Sequence, residues 1–334
     1  MKNFTYYRPT TAEQAVALLE ARFGNTEMLA GGTDLLSLQK DYIAQPARVV
    51  SLNGIAGLNT ITIGQRSVTI GAGVTLAAIA GHVQLSRLFP ALASAAGEIG
   101  GPQIRNMGTL GGNLCQRNRC WYFRDEHSPC LLRGGNRCSA IEGENKYHAI
   151  FTANHRCVIA SPSTLATGLI ALGASAEILG PQNRRRTVEL AKFYRAPAAA
   201  NEREHTLAAN ELITSVTIPV RGLTNAAYEV RQKQSSDWPI VQCAVAFSAG
   251  RNGEKATGVR IVLSHVAPTP MIAEAAGRAV ENRAITAVAA TAAGRAAAEG
   301  AKPLSQNGYK VRLVEVAVKR ALMIAAGLPR YWEA

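Results

Sequence analysis

Five of the chain's six cysteines, Cys115, Cys120, Cys130, Cys138 and Cys157, fall within one stretch of 43 residues. The residues between them number four, nine, seven and eighteen. Their surroundings, Arg117-Asn118-Arg119, Arg124-Asp125-Glu126-His127 and Arg133-Gly134-Gly135-Asn136-Arg137, are polar and basic. Such a segment predicts an irregular loop that its own ligands must hold together. Six cysteines in 334 residues are too few for a disulfide scaffold, and their clustering favours metal. Zinc sites normally contain tight C-x2–4-C pairs, and only the first interval comes near that. Iron–sulfur clusters need four thiolates but accept wider spacing, which leaves one cysteine spare. The competing reading is a set of buried free cysteines acting as small hydrophobes, which the charged flanks oppose. His127, His148 and His155 share the segment and read as polar loop residues rather than ligands of a soft metal. Cys243 sits in an apolar strand pattern and reads as core.

The cysteine segment begins beside Thr109-Leu110-Gly111-Gly112-Asn113, which echoes the earlier Ala30-Gly31-Gly32-Thr33-Asp34. Glycine lets backbone N–H groups line a concavity, and a following helix N-terminus adds positive potential. One Gly-Gly turn is usually only a turn. Two, from separate α/β units, are suited to clamp a pyrophosphate. No G-x-G-x-x-G follows a strand with an acid downstream, and no G-x-x-x-x-G-K-[ST] is present. Rossmann NAD domains and P-loop NTPases are thereby disfavoured.

Thr11-Ala12-Glu13-Gln14 reads as a capping box ahead of Ala15, Leu18 and Leu19. A strand is expected at 27–30, then a helix capped by Thr33 or Asp34, so that residues 1 to about 55 form a small α/β unit. Strands are expected at 61–63 and 68–70 and helices at 75–80 and 90–97. Residues 100–108 read as a loop. Ser161-Pro162-Ser163 opens a helix carrying Leu165, Leu169, Ile170 and Leu172, and a strand follows at 176–179. Residues 196–210 read as a linker. Composition places a second domain from Glu211, with strands at 213–218, 227–231, 241–248 and 259–266, then Ala-rich helices from Pro270 to about Ala326.

The net charge of +13 invites a nucleic-acid reading, but the basic residues are scattered, with Arg184-Arg185-Arg186 the one tight run. A docking face for an acidic partner subunit fits better. No apolar window of membrane-spanning length occurs, and the N-terminus lacks a signal core. A cytoplasmic location is expected, or a periplasmic one by co-export with a signal-bearing partner.

Several stretches together resemble one family: 29–36 (Leu-Ala-Gly-Gly-Thr-Asp-Leu-Leu), 104–113 (Ile-Arg-Asn-Met-Gly-Thr-Leu-Gly-Gly-Asn), 233–239 (Lys-Gln-Ser-Ser-Asp-Trp-Pro) and 266–270 (Val-Ala-Pro-Thr-Pro). The chain resembles the FAD-binding (medium) subunit of the xanthine dehydrogenase/aldehyde oxidase molybdenum hydroxylases over nearly its whole length. The cysteine segment is similar to an inserted loop that carries a 4Fe–4S cluster in the subunit of periplasmic aldehyde oxidoreductase. The resemblance implies an α+β protein. A two-subdomain FAD-binding domain of the vanillyl-alcohol-oxidase/CO-dehydrogenase flavoprotein type occupies 1–217, divided near 57, with the Fe–S loop at about 114–158. A C-terminal antiparallel sheet with a helical bundle occupies 218–330. It assigns Cys120, Cys130, Cys138 and Cys157 as ligands and leaves Cys115 spare. It places FAD on Met28, Leu29, Ala30, Gly31, Gly32, Thr33, Asp34, Leu35 and Leu36, and near Thr109, Gly111, Gly112 and Asn113. Thr164 stands where relatives often have Asp, and Glu229 where they often have Lys, both near the cofactor. The implied partners are a small 2Fe–2S subunit and a large molybdopterin subunit, with an aldehyde as the expected substrate and no nucleic acid. The rival readings are a free-standing FAD oxidoreductase and a zinc-loop interaction module.

Overall fold

The computed structural model describes residues 1–233, 236–250 and 255–333. Gln234 and Ser235 of the 233–239 stretch lie outside the described residues. Three sheets organise the chain. In the first, strands β1 (Thr5–Tyr7), β2 (Thr26–Leu29) and β3 (Arg48–Ser51) are parallel, with β3 in the centre. Parallel neighbours need crossovers, supplied here by α1 (Ala12–Ala17) and α2 (Leu35–Lys40). Thr11 Oγ1 accepts from Gln14 N at 3.1 Å, while the Gln14 side chain reaches back one residue further than a capping box requires, accepting from Thr10 N at 2.9 Å.

The second sheet is antiparallel, in the order β4 (Ile61–Ile63), β5 (Ser67–Gly71), β8 (Leu212–Pro219), β6 (Ser175–Leu179), β7 (Arg185–Glu189). Composition grouped Leu212–Pro219 with the strands that follow it. Instead it fills the middle of this earlier sheet, with Ile70 opposite Val216 and Ala176 opposite the same residue on the other side. Flanked by a strand on each side, it resembles the later strands in composition, and only long-range pairing separates them. Arg185 and Arg186, read as a charge run, are the exposed edge strand.

Between β5 and β6 lie α3 (Leu76–Gly81), α4 (Val83–Leu88), α5 (Pro90–Glu98), α6 (Pro102–Met107), α7 (Leu110–Cys115), α8 (Trp121–Arg124) and α9 (Thr164–Ala171). The expected loop at 100–108 therefore contains a helix. Pro102 sits in its first turn, but none of its residues is buried, so no apolar periodicity announced it.

The third sheet, β12-β11-β10-β9, comprises β9 (Thr224–Val230), β10 (Val241–Ala249), β11 (Ala256–Ser264) and β12 (Met271–Ile272). Strand β10 is apolar without alternation because both faces are covered. Ala244 and Ala246 join the core containing α5 and α9, whereas Cys243, Val245 and Phe247 face α10 (Glu274–Val280), α11 (Ala287–Ala298) and α12 (Tyr309–Ala325). Val314, Ala317, Val318, Ala321 and Leu322 form the buried stripe of α12 at helical spacing. Cys243 is a core residue, as its pattern indicated. No helix among the described residues is long and apolar enough to cross a membrane.

Candidate cofactor site

The first Gly-Gly turn is shaped by a close approach. A Cβ on Gly31 would lie 1.8 Å from the Met107 carbonyl oxygen, and Gly32 has φ of +73°. Gly31 therefore lets the β2–α2 turn press against the end of α6, immediately before the second turn. Thr109 caps α7 by accepting from Gly112 N at 3.1 Å. Both turns open into one cavity of about 1040 Å³, at the upper end of the range of small-molecule sites. Of the residues expected at the cofactor, Met28, Leu29, Ala30, Gly31, Gly32, Thr33, Asp34, Leu35, Thr109, Gly111, Gly112, Asn113, Thr164 and Glu229 line this cavity. Leu36 does not; it is 39% exposed and its side chain lies over Gly32.

Two of these side chains are already engaged. Asn113 Oδ1 accepts from Ser163 Oγ at 2.8 Å and from Leu165 N at 3.3 Å, tying the second turn to the start of α9. Asp34 stands at the N-cap of α2 without making a cap bond. Its carboxylate turns to the cysteine segment: Oδ1 accepts from Arg119 Nη1 and Arg124 Nη2, each at 2.7 Å, and Oδ2 from Arg117 N at 2.9 Å. Burial pushes the Asp34 carboxyl up, but Arg119 and Arg124 outweigh it and hold it below the ordinary range.

The cavity also takes in Arg117 and Arg119 of the cysteine segment's basic flank, and residues that sequence reasoning did not single out, among them Asn53, Gln103, Arg203 and His205. The Arg119 guanidinium lies 4.1 Å from the Trp238 ring centroid, and Trp238 lines the cavity too. Arg203 pairs with Glu27 at 3.0 Å. Burial lowers His205 to about 4, so it is neutral. No local pattern marked Asn53, Gln103, Arg203 or His205 as cavity residues, and they come from segments far apart in the chain.

The cysteines separate into two groups. Cys115 ends α7, packs against the main core and lines the cavity. Burial pushes its thiol up to about 12. Cys120, Cys130 and Cys157 share a small cluster with Leu38, Phe123 and Ile159, and Cys130 bridges Cys138 through the backbone. The thiols of Cys138 and Cys157 interact, which lowers Cys138 and raises Cys157 relative to an ordinary thiol. Cys120 is close enough to Cys130 and Cys138 to feel their charge. These four therefore lie near one another, at four separate positions along the segment. Among the described residues, no three His, Cys, Asp or Glu side chains are arranged around a single metal ion. Thiolates at the corners of a cubane stand farther apart than ligands of one ion. Leu38, Phe123 and Leu132 belong to the cysteine cluster and also line the cavity, so the two sites share a wall.

Of the three histidines in the segment, His127 is on the surface. His148 is buried with Nε2 3.1 Å from Cys120 Sγ, and burial lowers it to about 4. The segment is also anchored from the C-terminal helices. Lys310 Nζ donates to the carbonyls of Tyr147, His148 and His265 at 2.9, 3.1 and 2.8 Å. Asn307 Nδ2 donates to those of His148 and Ala149 at 3.2 and 3.1 Å.

A large cavity floored by two glycine turns defines a nucleotide-binding protein. Residues 2–221 match the FAD binding domain in molybdopterin dehydrogenase, and residues 226–325 the CO dehydrogenase flavoprotein C-terminal domain. The chain belongs to this family of molybdopterin-dehydrogenase FAD subunits. It is 35% identical over 281 residues to the aldehyde oxidoreductase FAD-binding subunit PaoB of Escherichia coli, covering 83% of this chain and 85% of that one. It is 30% identical over 327 residues to the carbon monoxide dehydrogenase medium chain of Hydrogenophaga pseudoflava, covering 96% of each. The solved carbon monoxide dehydrogenase of that organism superposes with a TM-score of 0.76 at 27% identity, covering 98% of each chain. These relatives are oxidoreductase subunits.

Proposed function

We propose that this chain is the FAD- and 4Fe–4S-containing electron-transfer subunit of a heterotrimeric molybdenum hydroxylase that oxidises an aldehyde. Its partners in this reading are a small subunit with 2Fe–2S centres and a large molybdopterin subunit. The observation that carries it is the shared wall: four converging cysteines on one side and the two glycine turns on the other. The likeness to the aldehyde oxidoreductase subunit supports the aldehyde. FAD, when bound, takes electrons arriving singly from 2Fe–2S centres and passes them to an external acceptor.

In this reading the FAD-binding domain is 1–217 and the C-terminal domain 218–330. The backbone N–H groups of 31–34 and 109–113 receive the pyrophosphate, and Thr164 and Glu229 lie beside the rest of the cofactor. Cys120, Cys130, Cys138 and Cys157 hold the cluster. Arg133, beside Cys130, offsets part of the negative charge of the thiolates. Arg133 also fastens the loop, donating to the carbonyls of Tyr122, Asp125, Glu126 and Ser128.

The test is a visible spectrum with flavin and iron quantification on the purified chain. One FAD and about four iron atoms per chain are expected, as one four-thiolate cubane requires. Colourless protein containing zinc would select an interaction module instead. Turnover of an organic substrate by the isolated chain would select a free-standing oxidoreductase.

A further inference from the structure

We infer that Glu229 holds, and hands over, the proton that accompanies electron arrival at the flavin; the inference rests on the FAD reading above. Glu229 lies near the end of β9 and lines the cavity that contains both glycine turns. Its side chain is only 9% exposed. Oε1 lies 3.1 Å from Arg231 Nε. Oε2 is buried without a hydrogen-bond partner among the described residues. A buried carboxylate oxygen left unpaired is costly, and it is relieved by carrying a proton or by meeting a ligand.

The charged groups facing Glu229 are Arg231, just beyond its own strand, and Glu98, at the end of α5. Arg231 also pairs with the Glu98 carboxylate and donates to the Glu98 carbonyl at 3.2 Å. One guanidinium thus serves two carboxylates, an arrangement that keeps a proton on one of them. Glu98 is half-exposed, and Glu229 is the buried partner. Burial raises Glu229 to about 7, with Arg231 opposing and Glu98 adding to the rise. A group so poised exchanges protons readily near neutral pH.

The step balances as follows. With FAD bound and two electrons supplied by the one-electron donors of the complex, the Glu229 O–H bond would break and its proton would pass to a nitrogen of the flavin ring. The resulting carboxylate is offset by Arg231 and recovers its proton from solvent. Glu229 is thereby neutral before reduction and again after it.

The experiment is stopped-flow reduction of the full FAD-loaded chain by reduced methyl viologen, a one-electron donor that carries no proton, followed by flavin absorbance from pH 5 to 9. The wild-type rate should fall as pH rises through about 7, where Glu229 loses its proton. Glu229→Gln should retain FAD, reduce more slowly and lose that inflection. FAD retention with the inflection unchanged would overturn the inference and leave the FAD reading intact. A wild-type chain that binds no FAD would overturn the FAD reading itself. Should the Gln variant shed its flavin, Arg231→Gln decides the matter. Removing the charge that opposes the rise should move the inflection to higher pH, and an unmoved inflection sinks the idea.

Discussion

Asp34 and Arg119 meet at 2.7 Å, joining the first glycine turn to the residue just before Cys120. Arg124 and the Arg117 amide, from the same end of the segment, bind the same carboxylate. One side chain therefore fastens the nucleotide turn to the cysteine loop. Asp34→Asn keeps the shape and removes the charge. Charge-assisted hydrogen bonds contribute roughly 1.5–3 kcal/mol each, so FAD retention should fall at least about tenfold. Equilibrium dialysis with flavin fluorescence measures it. Because the folded-state pKa of Asp34 is lowered, its stabilisation is present above the ordinary carboxylate range and lost as pH falls through it. The variant should lack that acid-side loss.

Gly31→Ala places a methyl 1.8 Å from the Met107 carbonyl oxygen, so the two turns must move apart. Flavin binding should be abolished. Gly81, the last residue of α3, has open space around its Cβ position and no positive φ. Gly81→Ala should bind flavin normally and melt at the same or a higher temperature. Equal flavin loss in both would refute the close-approach argument.

Cys130→Ser should lose iron, because Cys130 stands among the four converging thiols. Cys115→Ser should retain it. Its buried hydroxyl should instead lower thermal stability modestly, by about 1–2 kcal/mol. Iron determination on both variants checks the choice, and iron loss from the Cys115 variant would overturn it.

Lys310→Met should destabilise the chain by about 3 kcal/mol, since three carbonyls lose their shared charged donor. The loss should concentrate at 145–149 and appear as faster amide hydrogen exchange there than in α11. Uniformly faster exchange would contradict the anchoring role.

Glu229 supplies a pH-dependent stability term. Its folded-state pKa, about 7, is above the ordinary 4.5, so the stabilisation is complete below the ordinary value and lost as pH rises through about 7. The difference corresponds to roughly 3 kcal/mol. Glu229→Gln should therefore gain in urea midpoint over wild type at pH 8 but not at pH 4. A constant offset would mean that the carboxyl is not the titrating group.

What was legible locally has a local cause. Gly31 and Gly32 stand out because no other residue fits their backbone, and the cysteine density stands out against its polar, basic flanks. Strand β8 looked like part of the later sheet because a strand paired on both edges carries no mark in its own sequence of which strands pair with it. Helix α6 was missed because it buries nothing. Asp34 looked like a cap or a cofactor contact because its arginine partners lie 83 to 90 residues away.

By itself the sequence determined the kinds of chemistry available: five cysteines gathered in one polar segment, glycine turns open to phosphate, and no Rossmann or P-loop fingerprint. These follow from residue type and short spacing. Only the tertiary structure decided which elements share a space. It separated Cys115 from the other four cysteines, put the glycine turns on one cavity, and turned Asp34 away from its helix toward arginines of the cysteine loop. Such choices depend on long-range packing and on the pairing of buried charge, neither of which leaves a periodic trace along the chain.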